Sequence, residues 1–255
     1  MTHRLLSSIA ISATAAFTAC SVAMAADTAT LKGKFVVDGK VAAPAEIAAA
    51  KNDPGCAKHK VVEEQLTVGE KGELANVFVY SRTKGLTAPA STQKSVELDN
   101  KNCRFEPHCL VLRTDQELLL KNSDPFGHNS NIQPFNGAAI NPLLAAGQTF
   151  PAKFTAEETL PTKVGCNIHP WMGAWVLIRK DPFAAVSAKD GSFEIKDLPV
   201  GKEVEFQIWQ ESAGNLKDLT FKGGKADAKG RFKIKLKAGE NDLGEIKVPV
   251  AGLKK

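Results

Sequence analysis

Short apolar runs, most of them alternating with polar residues, recur along the chain and are divided by Gly, Pro, Asn and Asp. Alternation with a period of two marks strands with one buried face, and the dividing residues mark turns. Gly33 to Gly39 reads as a short edge strand closed by a turn, and Asn52-Asp53-Pro54-Gly55 is a second turn. Residues 60–68 and 74–80 read as strands, the latter with Val77 and Val79 on one face and Phe78 and Tyr80 on the other. The pattern breaks at Ala88-Pro89-Ala90, resumes at Val96-Glu97-Leu98, and continues through Glu117 to Asn122 and Gly147 to Phe154. Residues 174–178 are unbrokenly apolar and predict a fully buried strand. Two stretches differ: the alanine-rich residues 42–51 fit a short helix, and residues 132–146 a loop or short helix. The pattern predicts an all-β sandwich.

Asp181-Pro182 marks a boundary. Beyond it Val204 to Gln210 alternates, Ala228 to Leu236 sets lysines toward water, and Leu243 to Val248 adds another strand.

The N-terminus follows a different rule. His3 and Arg4 precede an apolar run from Leu5 to Ala19 and then Ala23-Met24-Ala25, so residues 1–25 read as a secretory signal peptide. Nothing later approaches about 18 consecutive apolar residues, so no transmembrane segment is expected in the mature protein. The expected location is the periplasm or the cell exterior. The remaining chain, about 230 residues, can bury a full core in one large or two small domains. The formal charge is +5, spread over alternating lysines and acids with no dense basic cluster. That argues against nucleic acid as a partner and leaves a modest field that could steer an acidic protein.

Of five cysteines, Cys20 lies in the leader. If Cys166 binds metal, Cys56, Cys103 and Cys109 remain for one disulfide in an oxidising compartment. Cys56 and Cys103 each sit in a polar, turn-like segment and are the favoured pair. Cys109 is either a buried thiol or the alternative partner of Cys56. His108 reads as structural, because neighbours in an extended chain point to opposite faces; a second metal site is the other reading. His59, between Lys58 and Lys60, reads as a solvated surface residue.

The densest chemistry lies in residues 165–177, where Cys166, His169 and Met172 offer thiolate, imidazole and thioether from one loop. Soft, mixed donors on a strand-anchored loop suit copper. His128 supplies a further donor from a separate loop, beside Gly127, whose missing Cβ permits close backbone approach. Asn122 and Asn129 are placed to tie the two loops together by hydrogen bonds, and Trp171 to shield the site or offer contact surface. A zinc site ranks second, since Met172 is a poor fourth ligand for zinc.

His128-Asn129, Gly147-Gln148-x-Phe150 and Cys166-x-x-His169-x-x-Met172 together resemble the cupredoxin (plastocyanin/azurin-like) family over roughly residues 70–181. The resemblance implies a Greek-key β-sandwich holding one type 1-like copper ion through His128, Cys166 and His169, with Met172 weakly axial. It also implies a solvent-near His169 as the electron exit. Only Pro170 and Trp171 separate His169 from Met172, where plastocyanin-like loops usually hold four residues. The Asn-Ser-Asp-Pro…His-Asn and Cys-x-x-His-Pro-Trp-Met patterns are similar to secreted cupredoxin-like proteins labelled methylamine-utilisation proteins. Asp190-Gly191-Ser192-Phe193 through Pro199-Val200-Gly201 resembles the carboxypeptidase-regulatory-like (transthyretin-like) β-sandwich. That similarity implies a second small sandwich over residues 182–250, completed or merely preceded by residues 31–69.

The leading functional expectation is a secreted or periplasmic mononuclear copper protein that transfers single electrons. Its partner would be a periplasmic redox protein such as a cytochrome or a dehydrogenase. A non-catalytic β-sandwich binding module and a copper storage or delivery protein are the alternatives. An enzyme is not expected, for no paired carboxylates or Ser/His/Asp constellation stands out.

Overall fold

The computed structural model describes residues 28–253, so the leader expected over residues 1–25, with Cys20, lies outside the described residues. The architecture is all-β and multi-sheet. Two four-stranded sheets face one another in a sandwich of the cupredoxin-like kind. One runs Thr149–Lys153, Glu117–Asn122, Ser95–Lys101, Arg104–Glu106; the other runs Cys109–Arg113, Gly173–Arg179, Thr162–Gly165, Asn131–Ile132. Their alternating residues meet in one core: Leu98, Leu118 and Leu120 from the first sheet, Leu112, Val164 and Val176 from the second. Cys166 and Met172 belong to the same core, at its end.

A larger core lies between a three-stranded sheet (Ser192–Pro199, Thr28–Asp38, Gly239–Pro249) and a five-stranded one built on Glu203–Gln210, Phe78–Ser81 and Ala184–Val186. Val77 and Val79 face this core. Phe78 and Tyr80 face the other way and join Cys109, Leu177 and Trp209 in a third cluster. The five-stranded sheet thus packs back to back with the sheet that contains Gly173–Arg179. Strands covered on both faces carry continuous apolar runs instead of alternation. That explains why Phe78–Ser81 is buried at all four positions and why Val176, Leu177 and Ile178 are all buried.

Several expectations need correction. Thr28–Asp38 is the central strand of its sheet, antiparallel to Ser192–Pro199 and parallel to Gly239–Pro249, where an edge strand was expected. Its buried Leu31, Phe35 and Val37 reward pairing on both sides. Residues 60–68 form only isolated bridges, Glu46 with Val62 and Val68 with Leu74. The helix shrinks to Ala48–Asn52, stopped by the Asp53-Pro54 turn. Of the two readings of residues 132–146 the structure takes the loop, apart from the short strand Leu143–Leu144 that pairs with His128–Asn129. His59 is half-buried, not solvated. Among the described residues, no helix is long and apolar enough to cross a membrane.

Leu177 sits fully buried between the two back-to-back sheets. Leu177→Ala should lower unfolding free energy by about 2–5 kcal/mol, the usual result of truncating a leucine in a packed core. Guanidinium denaturation of the two proteins measures this directly.

Candidate metal centre

Strand register brings the donor loops together. Gly165 pairs with Gly173, so residues 166–172 are the loop of a hairpin. The loop closes on itself: Cys166 N–H donates to the Met172 carbonyl at 3.3 Å, and Met172 N–H donates to the His169 carbonyl at 2.9 Å. Asn131–Ile132 pairs with Val164 and Gly165, which sets the preceding His128–Asn129 beside Cys166. Asn129 locks the junction. Its Oδ1 accepts from Asn167 N–H at 2.8 Å and Ile168 N–H at 3.3 Å, and lies 3.4 Å from Cys166 Sγ. Asn122 donates to the carbonyls of Phe126 (2.7 Å) and Leu144 (2.9 Å), shaping the chain that enters and backs His128. Of the two asparagines, then, Asn129 joins the metal loops and Asn122 holds one of them. A Cβ at Gly127 would meet only Leu144 O at 3.9 Å, an ordinary contact, so the expected close approach there is not what the fold needs.

The donors converge. His128 Nδ1 and His169 Nδ1 lie 2.9 Å apart, and each is 3.8 Å from Cys166 Sγ. Metal–nitrogen distances of about 2.0 Å and a metal–sulfur distance of about 2.3 Å let one ion bridge donors up to about 4 Å apart, so the triangle is the right size. Two imidazoles and a thiolate form the donor set of a type 1-like mononuclear copper site, and the cluster matches it. Met172 is buried in the adjoining core, at 2% exposure.

The environment keeps these donors available. His128 Nε2 lies 3.0 Å from Asp124 Oδ2. A carboxylate only accepts, so the ring proton belongs on Nε2 and Nδ1 is left as a lone pair facing the site. Asp124 itself is held by Asn102 N–H at 2.7 Å and Cys103 N–H at 2.9 Å. Those two residues form the tight turn between paired strands, with φ of 54° and 56°. On the other side, Asp53 Oδ2 stands 3.8 Å from His169 Nε2, and Asp53 Oδ1 accepts from Gly55 and Cys56 N–H. Burial lowers the pKa of His128 below the usual imidazole value despite the Asp124 hydrogen bond. Burial likewise lowers His169 against the pull of Asp53 and Asp124. Both rings are therefore neutral near pH 7, the form that binds metal. His169 N–H also points at Cys166 Sγ, at 3.4 Å.

The structure pairs Cys56 with Cys103 and leaves Cys109 a buried free thiol. Cys56 also falls near Asp53 and His169, but its sulfur is consumed by the disulfide and cannot bind a metal there. The disulfide fastens the turn that follows Ala48–Asn52 over the centre, where Ala50, Cys56, Val61 and Cys103 cluster with Ile47, Phe126 and Trp171. Phe126 and Trp171 flank His169 at ring-centroid distances of 5.8 and 5.3 Å. In consequence His169 is only 5% exposed, which corrects the solvent-near position implied by the resemblance. Trp171 shields the ring. Asp124 and Asp53 are the functional neighbours that sequence reasoning missed. The signal was present in each case as Asp-Pro in a turn, with Asp124 four residues before His128.

No sequence profile of a known family matches the chain, and no curated protein matches it. Three solved structures illustrate what it is similar to. A copper-containing nitrite reductase from Thermus scotoductus SA-01 is 18% identical over 40% of this chain and 25% of its own length, with a TM-score of 0.31. The chain thus spans a quarter of that enzyme. A purple cupredoxin from Nitrosopumilus maritimus is 25% identical over 34% of this chain and 99% of its own, TM-score 0.28. An oxidised mutant of amicyanin is 16% identical over 40% and 98%, TM-score 0.31.

Two predictions follow from the outer carboxylate and the buried rings. Asp124→Asn should weaken metal affinity about 10–100-fold, the usual effect of removing a carboxylate behind a ligating histidine; competition with a chromophoric chelator reads it. In the metal-free protein, the unfolded state binds protons on these histidines at a higher pH than the native state does. Stability should therefore begin to fall as pH drops below the ordinary imidazole value of 6.5, well above the carboxylate range. Thermal melts of metal-free protein across that window check it, and a flat profile would contradict the assignment.

Proposed function

We propose that the chain is a secreted or periplasmic mononuclear copper protein that carries single electrons between redox partners. The observation that carries this reading is the buried convergence of His128 Nδ1, His169 Nδ1 and Cys166 Sγ. His128, Cys166 and His169 would hold the ion, with Met172 as the weak fourth ligand. Copper bound there would supply one-electron Cu(I)/Cu(II) chemistry. The chain's own part is to hold the donors still. Asn129 ties the two loops, Asp124 fixes the His128 ring, and the strands on either side of the loop are paired residue for residue. Little rearrangement is then needed when the charge at the site changes.

The apolar cover around His169 argues against an open substrate position on that ring. Copper storage or delivery is the second reading, favoured by the same cover over His169. Secretion is supported by the leader-like residues 1–25 and by a disulfide close to the metal loop, since disulfides persist in oxidising compartments. A redox protein such as a cytochrome or a dehydrogenase is the partner class this reading implies, and nucleic acid is not. In this reading residues 182–250, joined by the strand Thr28–Asp38, make a second small sandwich like the carboxypeptidase-regulatory fold. The pairing of Thr28–Asp38 with both Ser192–Pro199 and Gly239–Pro249 supports it, with the cupredoxin-like unit inserted between.

Copper titration followed by optical and EPR spectroscopy tests the centre. Wild type should develop an intense Cys–Cu charge-transfer band saturating at one equivalent, and Cys166→Ser should not. Persistence of the band in the variant would remove the ligand assignment; its absence from wild type would remove the type 1-like reading.

A further inference from the structure

Beside the copper loop lies a cavity of ≈ 240 Å³ that the electron-carrier reading does not use. Pro170, Trp171 and Met172 line one side of it, and Glu64, His108 and Glu211 also line it. His108 is the unusual member: its side chain is only 9% exposed, and its Nε2 is 2.7 Å from Glu211 Oε2. As at His128, the carboxylate can only accept, so the proton sits on Nε2 and Nδ1 is a lone pair. Burial works against ionisation of Glu211, yet the His108 hydrogen bond leads the set of partners that holds its pKa below the usual range.

His108 Nδ1 is buried and has no hydrogen-bond partner. A buried polar atom left unpaired is destabilising, so such an atom calls for an explanation. Glu64 Oε2 faces it at 3.9 Å. That separation is too long for a hydrogen bond even if the ring were protonated. It lies within the reach of two donors on one ion: metal–nitrogen distances of about 2.0–2.1 Å and metal–oxygen distances of about 2.0–2.2 Å allow just over 4 Å for donors in line, and a tetrahedral angle would draw the pair in to about 3.4 Å. The Arg104 guanidinium reaches Glu64 only at 3.7 Å and is shared with Glu106.

We propose that His108 Nδ1 and Glu64 form a second metal site, for a divalent first-row ion of the zinc class. Glu211 positions the His108 ring, and cavity water fills the remaining coordination positions. An imidazole–carboxylate pair selects such ions over calcium or magnesium, which prefer all-oxygen shells. Two protein donors with waters make an exchangeable site, not a closed structural one. Because Met172 lines the same cavity, an ion there would stand next to the proposed copper loop.

Zinc uptake by copper-loaded protein, measured by equilibrium dialysis and metal analysis, tests this in wild type, Glu64→Gln and His108→Gln. Wild type should bind one zinc ion more than the copper site accounts for, at least tenfold more tightly than either variant. Comparison among the three reads the second site whichever ion fills the first. Glu64 is half-buried, so its variant keeps the fold and guards against misreading an unfolded His108 variant. In wild type carrying reduced copper, zinc should also shift the His108 ring resonances and leave those of His128 in place. Equal uptake by all three proteins, no uptake by wild type, or an unmoved His108 would overturn the proposal.

Discussion

The Asp124 carboxylate is the constraint on which the candidate centre depends. It accepts two backbone N–H groups from the Asn102–Cys103 turn and faces the outer nitrogen of His128. Removing it would leave a buried imidazole free to change tautomer and two turn N–H groups without acceptors. The Cys56–Cys103 disulfide extends this constraint across the site, for Cys103 belongs to the turn that holds Asp124 and Cys56 to the turn that holds Asp53. One covalent link therefore ties together the two carboxylates that face the two imidazoles. Its effect is geometric: each carboxylate is aimed by backbone donors that the disulfide keeps in register.

This arrangement sits on a frame made rigid by double-sided burial. The strand Gly173–Arg179 packs Val176 into the sandwich core and Leu177 against Phe78 and Tyr80 of the neighbouring sheet. A strand fixed from both faces cannot slide or tilt without opening a void, and close-packed interiors resist that strongly. The metal loop begins and ends on paired glycines of this frame, so the seven residues between them inherit its stiffness. The buried position of His169 follows from the cover laid over it, to which the loop itself contributes Trp171. The loop alone would leave its ring at the end of the sandwich, but the turn after Ala48–Asn52 folds across with Phe126 and Trp171. Gly55 fits there because a Cβ would meet the Phe126 ring at 2.7 Å.

Much of this was legible in the chain. The apolar triplet Leu118-Leu119-Leu120 between polar residues and the unbroken run of residues 174–178 are local signals, and both became strands. The donor spacing Cys166, His169, Met172 is likewise local, because a short hairpin loop must bring residues three apart close together. His128 was legible as a donor beside a strand end. Asp124 and Asp53 were not, because an Asp before a Pro most often makes a turn, and nothing in their neighbourhood says which imidazole they face.

By itself the sequence determined the all-β character and several strands of the sandwich, and it offered the candidate donors, all properties set by side-chain type and short-range spacing. The tertiary structure alone decided which strands became central, that Cys103 closes on Cys56 with Cys109 left buried, and that His169 lies under cover. It also decided that His108 faces Glu64 and Glu211, from segments far apart in the chain. Those outcomes depend on long-range pairing, in which burial on a second face outweighs local propensity. No pattern read along a single strand carries that information.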